Sequence, residues 1–77
     1  MRLDLVVSKI TGLSRSEAAI YIEKDLVKIN HVIINKITKT VNEDDIISIR
    51  KYGRFYIIDN QNKSKKGKII LKYGKYV

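Results

Sequence analysis

Ser14, Arg15 and Ser16 stand together at the head of a helical stretch, and of all residues in the chain they are best placed for chemistry. The first amides of a helix have no intrahelical partner and point outward, where they favour an anion. A guanidinium between two hydroxyls at such a helix start is a plausible phosphate seat. The same residues also fit a plainer role, in which the serines only cap and Arg15 is only solvated. From these residues alone the plainer role is the simpler one. Little in the chain supports catalysis. Cysteine is absent and His31 is the single histidine, which excludes disulfides and thiolate zinc sites. Asp4 has no second carboxylate or histidine at a suggestive spacing, and no phosphate-cradling glycine loop is present. No catalytic residue, metal site, cofactor or small-molecule substrate is therefore expected.

Charge points to a partner. The net charge is +8, carried mostly by residues 31–77, where eleven basic side chains face four acidic ones. A small domain so unbalanced is suited to a polyanion, with RNA or DNA ahead of an anionic membrane. Twelve of the sixteen basic residues are lysine, a residue that suits backbone phosphates better than bidentate base reading. A basic surface that serves only solubility is the competing reading. No apolar run reaches the ~18 residues of a membrane span, and no signal-peptide pattern opens the chain. A cytoplasmic protein is expected.

The elements that must position these residues follow from periodicity. Leu3, Val6, Val7 and Ile10 recur at helical spacing, so residues 2–11 read as an amphipathic helix, closed by Gly12. Arg2, Asp4 and Lys9 fall off its apolar stripe. Arg2 and Asp4 are too close in sequence to face one another on a helix, so Asp4 is expected to cap its own helix or pair elsewhere. Ser14 with Glu17 forms a capping box for a second helix, in which Ala18, Ala19 and Ile22 make a narrow apolar stripe. So short a join implies an αα-hairpin. Val27 and Ile29 flank Lys28 as a strand, and Asn30-His31 before Val32-Ile33-Ile34 reads as a two-residue hairpin turn. Residues 35–42 read as a loop and Asn42 to Asp45 as a polar turn. Strands are expected at Ile46–Arg50, Phe55–Ile58 and Lys68–Tyr73, with a polar connection from Asp59 to Gly67. The fold class is α+β: a two-helix hairpin packed on a small, mostly antiparallel sheet of about five strands.

These residues carry a resemblance. Arg2-Leu3-Asp4, Ser14-Arg15-Ser16 with Ala18-Ala19, Ile22, and Val27-x-Ile29-Asn30 resemble the pattern of the S-four (αL-motif) RNA-binding domain, as does the acidic turn before Ile46-Ile47. The likeness covers residues 1–50. Gly53-Arg54-Phe55 and the run from Lys63 through Lys65, Lys66, Gly67 and Lys68 to Ile69 are similar to the end of YlmH-type ribosome-associated bacterial proteins. The resemblance implies one RNA-binding domain over residues 1–77, with a basic β extension at 51–77, as the C-terminal module of a longer protein. Three glycines of the pattern are replaced here, by Asp25, His31 and Asp44. All three substitutes are residue types that tolerate left-handed backbone, so the chain course is expected to survive.

The resemblance also implies a site. Arg2, Ser14, Arg15, Ser16, Lys24, Asn30 and His31 would share one RNA-facing surface, with Lys9 and Lys28 as additions. Arg2 and Arg15 would hold phosphates through charge-assisted bonds. Asn30 either touches RNA or closes the hairpin, and His31 either stacks on RNA or is a solvated turn residue. Arg50, Lys51, Arg54, Lys65, Lys66 and Lys68 are expected to form a diffuse secondary basic surface. Tyr52 and Tyr76, beside breaks, are the aromatics expected to be exposed for stacking. The function so implied is recognition of structured RNA, ribosomal RNA or tRNA on the ribosome, by a monomeric, non-enzymatic module. A targeting appendage of an RNA-modifying enzyme (a pseudouridine synthase or methyltransferase) and a protein-docking module are the alternatives.

Overall fold

A computed structural model describes residues 1–63 and 69–76, with side chains for 1–58 and 71–76. Helix α1 spans Leu3–Thr11 and helix α2 spans Arg15–Glu23. Gly12 between them is left-handed, with φ of +80°, and its N–H closes α1 on the Ser8 carbonyl. Helix α2 opens on the expected capping box: Glu17 N–H donates to Ser14 Oγ at 3.1 Å, and Ser14 N–H donates to Glu17 Oε1 at 3.2 Å. Helix α1 begins differently. Its N-cap, Arg2, has extended backbone and offers no side-chain cap. The loop after the hairpin caps it instead: Leu3 N–H donates to the Lys39 carbonyl at 2.9 Å and Asp4 N–H to the Ile37 carbonyl at 3.2 Å. A third early amide, that of Leu5, donates to Asp4 Oδ1. Three donors that a helix start leaves open are thereby satisfied.

The strands are β1 (Val27–Ile29), β2 (Val32–Ile33), β3 (Ile46–Ile49), β4 (Gly53–Lys63) and β5 (Ile69–Lys75), in the antiparallel order β2-β1-β3-β4-β5. Asn30 and His31 join β1 to β2 with φ of +50° and +70°, the two positive values that a type I′ turn requires. Asp25 and Asp44 are left-handed too, at +62° and +67°, so all three glycine replacements keep the backbone course that glycine would take. Two expectations are corrected. Residues 59–63 continue β4 rather than opening a polar connection, and the last strand, Ile69–Lys75, runs on past Tyr73, while Lys68 lies outside the described residues. Long antiparallel pairing supplies ladder hydrogen bonds to this polar stretch, which a sequence period does not reveal.

Alternation decides which side of the sheet is buried. Val27, Ile29, Ile47, Ile49, Phe55 and Ile57 point inward and join Leu3, Val6, Val7, Ala18 and Ile22 of the helices in one core. Val41, from the loop, is buried in the same core. Ile10 packs at its edge. The opposite face carries Lys28, Ser48 and Arg54, which lie side by side across β1, β3 and β4.

Candidate nucleic-acid interface

One acid organises the start of both helices. Asp4 is 4% exposed, and two guanidinium groups converge on it. Arg2 donates through Nε to Oδ1 at 3.2 Å and through Nη2 to Oδ2 at 3.1 Å, while Arg15 Nη2 reaches the same Oδ2 at 3.1 Å. Asp4 is buried and Arg2 faces it, which corrects the expectation that the two are too close in sequence to meet. The Arg15 contact agrees with the expectation that Asp4 pairs elsewhere. The Arg2 contact follows from Arg2 lying outside the helix, where extended backbone lets its side chain fold back onto a residue two positions on. Burial pushes the Asp4 carboxyl up, but the hydrogen bond and charge of Arg15, the Leu5 N–H and the charge of Arg2 outweigh it and hold the group below its ordinary value. Asp4 is therefore a carboxylate at neutral pH. Its role is to fix two arginines that remain about half exposed, at 50% and 51% of their side-chain surface. Each guanidinium has five N–H donors and keeps several for a ligand. The ion pairs at Asp4 are those found among the described residues.

Arg15 and Ser16 lie in the first turn of α2, exposed, directly after the Ser14 cap. The assembly thus places two oriented cations and a helix N-terminus together. Lys24 caps the far end of α2, ~13 Å from the first turn at the rise of a helix. Lys9 is exposed in the last turn of α1.

The remaining expected residues gather elsewhere. Asn30 has both ends of its amide engaged within the fold. Oδ1 accepts from Ile46 N–H at 3.0 Å and Nδ2 donates to Asp45 Oδ1 at 3.0 Å. Asp45 Oδ2 in turn accepts from Asn42 N–H at 2.8 Å, so Asn30 ties the hairpin to the acidic turn. Lys28 and His31 line a groove of about 620 Å³ on the outer sheet face, together with Arg50, Lys51 and Arg54. The residues expected on a single surface thus fall into two groupings, and Arg50, Lys51 and Arg54 of the expected secondary basic surface line one groove. The period-2 alternation of the strands separates them: Lys28 must point away from the core that the helices share. Lys65, Lys66 and Lys68 lie outside the described residues.

Tyr52 is half-buried, edge-on to Tyr21 with ring centroids 6.0 Å apart, which corrects its expected exposure. Tyr76 is 46% exposed and packs edge-on to Tyr56 at 5.2 Å. Sequence reasoning passed over Asp4 as a site residue. The signal was present in an acid two positions after Arg2 on a helix that had no other capping side chain.

Comparison with known proteins agrees with this geometry. A family model described as S4 domain matches residues 1–47. A curated relative, the ribosome-associated protein quality control protein P2 of Bacillus subtilis (strain 168), is 32% identical over 68 residues, which is 88% of this chain and 26% of that protein. A solved structure, a crystal structure of pseudouridylate synthase, matches with a TM-score of 0.62 at 33% identity, over 64% of this chain and 21% of the other. The chain spans about a quarter of the curated relative's length. No helix among the described residues is long and apolar enough to cross a membrane.

Proposed function

The chain belongs to the S4 domain family, and on that premise we propose that it recognises structured RNA, ribosomal RNA or tRNA on the ribosome, through the surface built by Arg2, Arg15 and the start of α2. The S4 domain is an RNA-binding module rather than a catalytic one. The observation that carries the reading is the convergence of two half-exposed arginines on buried Asp4. Side chains fixed this way lose little further entropy when they grip phosphates, and a planar fork matches phosphate oxygens in two-point contact. Shape and backbone recognition of this kind suits folded RNA, whose base edges in the deep major groove are out of reach. The net charge of +8 adds salt-sensitive affinity. Likeness to a ribosome-associated protein supports the ribosome as the place of action, and with it a cytoplasmic module.

Binding to purified ribosomal subunits and to tRNA, measured side by side, tests the reading. Tight, salt-sensitive binding to one of these above an unstructured RNA of equal length is the expected result. Equal binding to all three would contradict it. A second reading is favoured by the likeness to a pseudouridylate synthase: the chain as the RNA-targeting part of a modifying enzyme. Pseudouridine formation by the parent protein on the RNA that this chain binds would establish it.

A further inference from the structure

The outer face of the sheet holds a groove that the helix-pair surface does not use. Its lining includes Lys28, Arg50, Lys51 and Arg54 against a single acid, Asp25. None of these four cations is in an ion pair with a described carboxylate, since the ion pairs found converge on Asp4. Between them the lining is apolar, with Leu26 and Ile33. The volume of about 620 Å³ falls within the range of about 300–1,000 Å³ usual for small-molecule sites. The basic wall continues into aromatics. Arg54 lies 6.0 Å from the Tyr76 ring centroid, and the Tyr76 N–H donates to the Arg54 carbonyl at 2.9 Å. Tyr56, on the same outer face, packs edge-on to Tyr76. Its ring lies over the backbone of Gly74 on the neighbouring strand, so closely that a Cβ there would collide with it. These two tyrosines are exposed and held in place.

Lys51 adds a separate observation. It is left-handed, with φ of +73°, a conformation costly for a long side chain and free for glycine. The turn into β4 therefore carries a charge at the groove where glycine would fit the backbone better.

We propose that this groove binds a single-stranded segment of the RNA whose folded part sits on the helix-pair surface. Cations at spacing along a groove track the phosphates, and an apolar floor flanked by exposed tyrosines accepts unstacked bases. That combination suits single strands, whose bases are free to stack on side chains. It does not suit a duplex, which hides its bases. The proposal rests on the RNA-binding reading above and adds a second contact to it.

Two RNA hairpins test it, identical except that one carries a short oligouridine tail. The readout is the ratio of their affinities for the full chain. The wild-type chain is expected to prefer the tailed RNA by about fivefold, the lower end of one stacked base. Lys51→Gly and Arg54→Ala should each bring that ratio close to one, and Lys51→Gly should leave the thermal midpoint unchanged or raised. Arg15→Ala should weaken both RNAs and keep the ratio. A wild-type ratio of one with firm hairpin binding overturns the groove while leaving the helix-pair reading intact. A ratio that survives both groove substitutions, or that Arg15→Ala removes, overturns it as well. Failure to bind either RNA overturns both readings together.

Discussion

Asp4 is the residue on which the proposed interface depends. It takes no part in binding through its own charge, which opposes phosphate. It acts by holding Arg2 and Arg15 in fixed positions and by accepting the Leu5 N–H at the start of α1. Its carboxyl is held below the ordinary aspartate range, so the folded state binds its proton less readily than the unfolded chain does. The stability this contributes is complete above the unfolded pKa of about 3.9 and is lost as pH falls through the lower folded value. Urea unfolding of wild type and Asp4→Asn across pH should therefore differ by a constant amount above about pH 5, with the gap closing in acid. A gap that stays the same down to the acid limit would remove Asp4 from this role. His31 permits a second test at this scale. With φ of +70° in a two-residue turn, it occupies a position that glycine fills without strain. His31→Gly creates the preferred Asn-Gly turn and should raise stability by ~0.5–1 kcal/mol in chemical denaturation. A loss would mean that the imidazole makes a contact that outweighs the backbone strain.

At the scale of elements, the two helices show how differently a sequence can announce its ends. Helix α2 was fully legible: Ser14 and Glu17 specify a capping box and the structure contains it. Ser14→Ala should cost about 1 kcal/mol and also lower RNA affinity, because fraying of the first turn releases Arg15. Unchanged affinity at reduced stability would show that the turn does not position Arg15. The start of α1 was not legible. Its caps are backbone carbonyls of Ile37 and Lys39, more than thirty residues on, and a carbonyl has no sequence signature. The same loop contributes Val41 to the core, an isolated apolar residue in a stretch without period. The hairpin at Asn30-His31 and the left-handed Asp25 and Asp44 were readable because turn chemistry is local. The full length of β4 was not, because its far end is held by pairing with β5.

At the scale of the whole molecule, charge and topology together shape the surfaces on which the proposed function rests. The alternation of three central strands buries one face against the helices and turns Lys28, Ser48 and Arg54 to the other. A basic excess that composition reports as a single number is thereby divided between a helix-pair surface and a sheet groove. That division was hidden in the sequence, since Lys28 and Arg54 are far apart in the chain and meet only through strand register. The central claim is that Arg15 contributes to RNA binding as an oriented fork and not as one more positive charge. The direct measurement is affinity for a structured RNA across a salt series, for wild type, Arg15→Ala, Arg15→Lys and Lys36→Ala. Removing Lys36, an exposed loop lysine, should flatten the salt slope by no more than about one and weaken binding only slightly. Arg15→Ala should weaken binding by about tenfold or more at every salt concentration, as loss of a charged hydrogen bond implies, and Arg15→Lys should recover only part of that loss. If Arg15→Lys binds as wild type does, or Arg15→Ala behaves like Lys36→Ala, the arginine pair at Asp4 is not the RNA site.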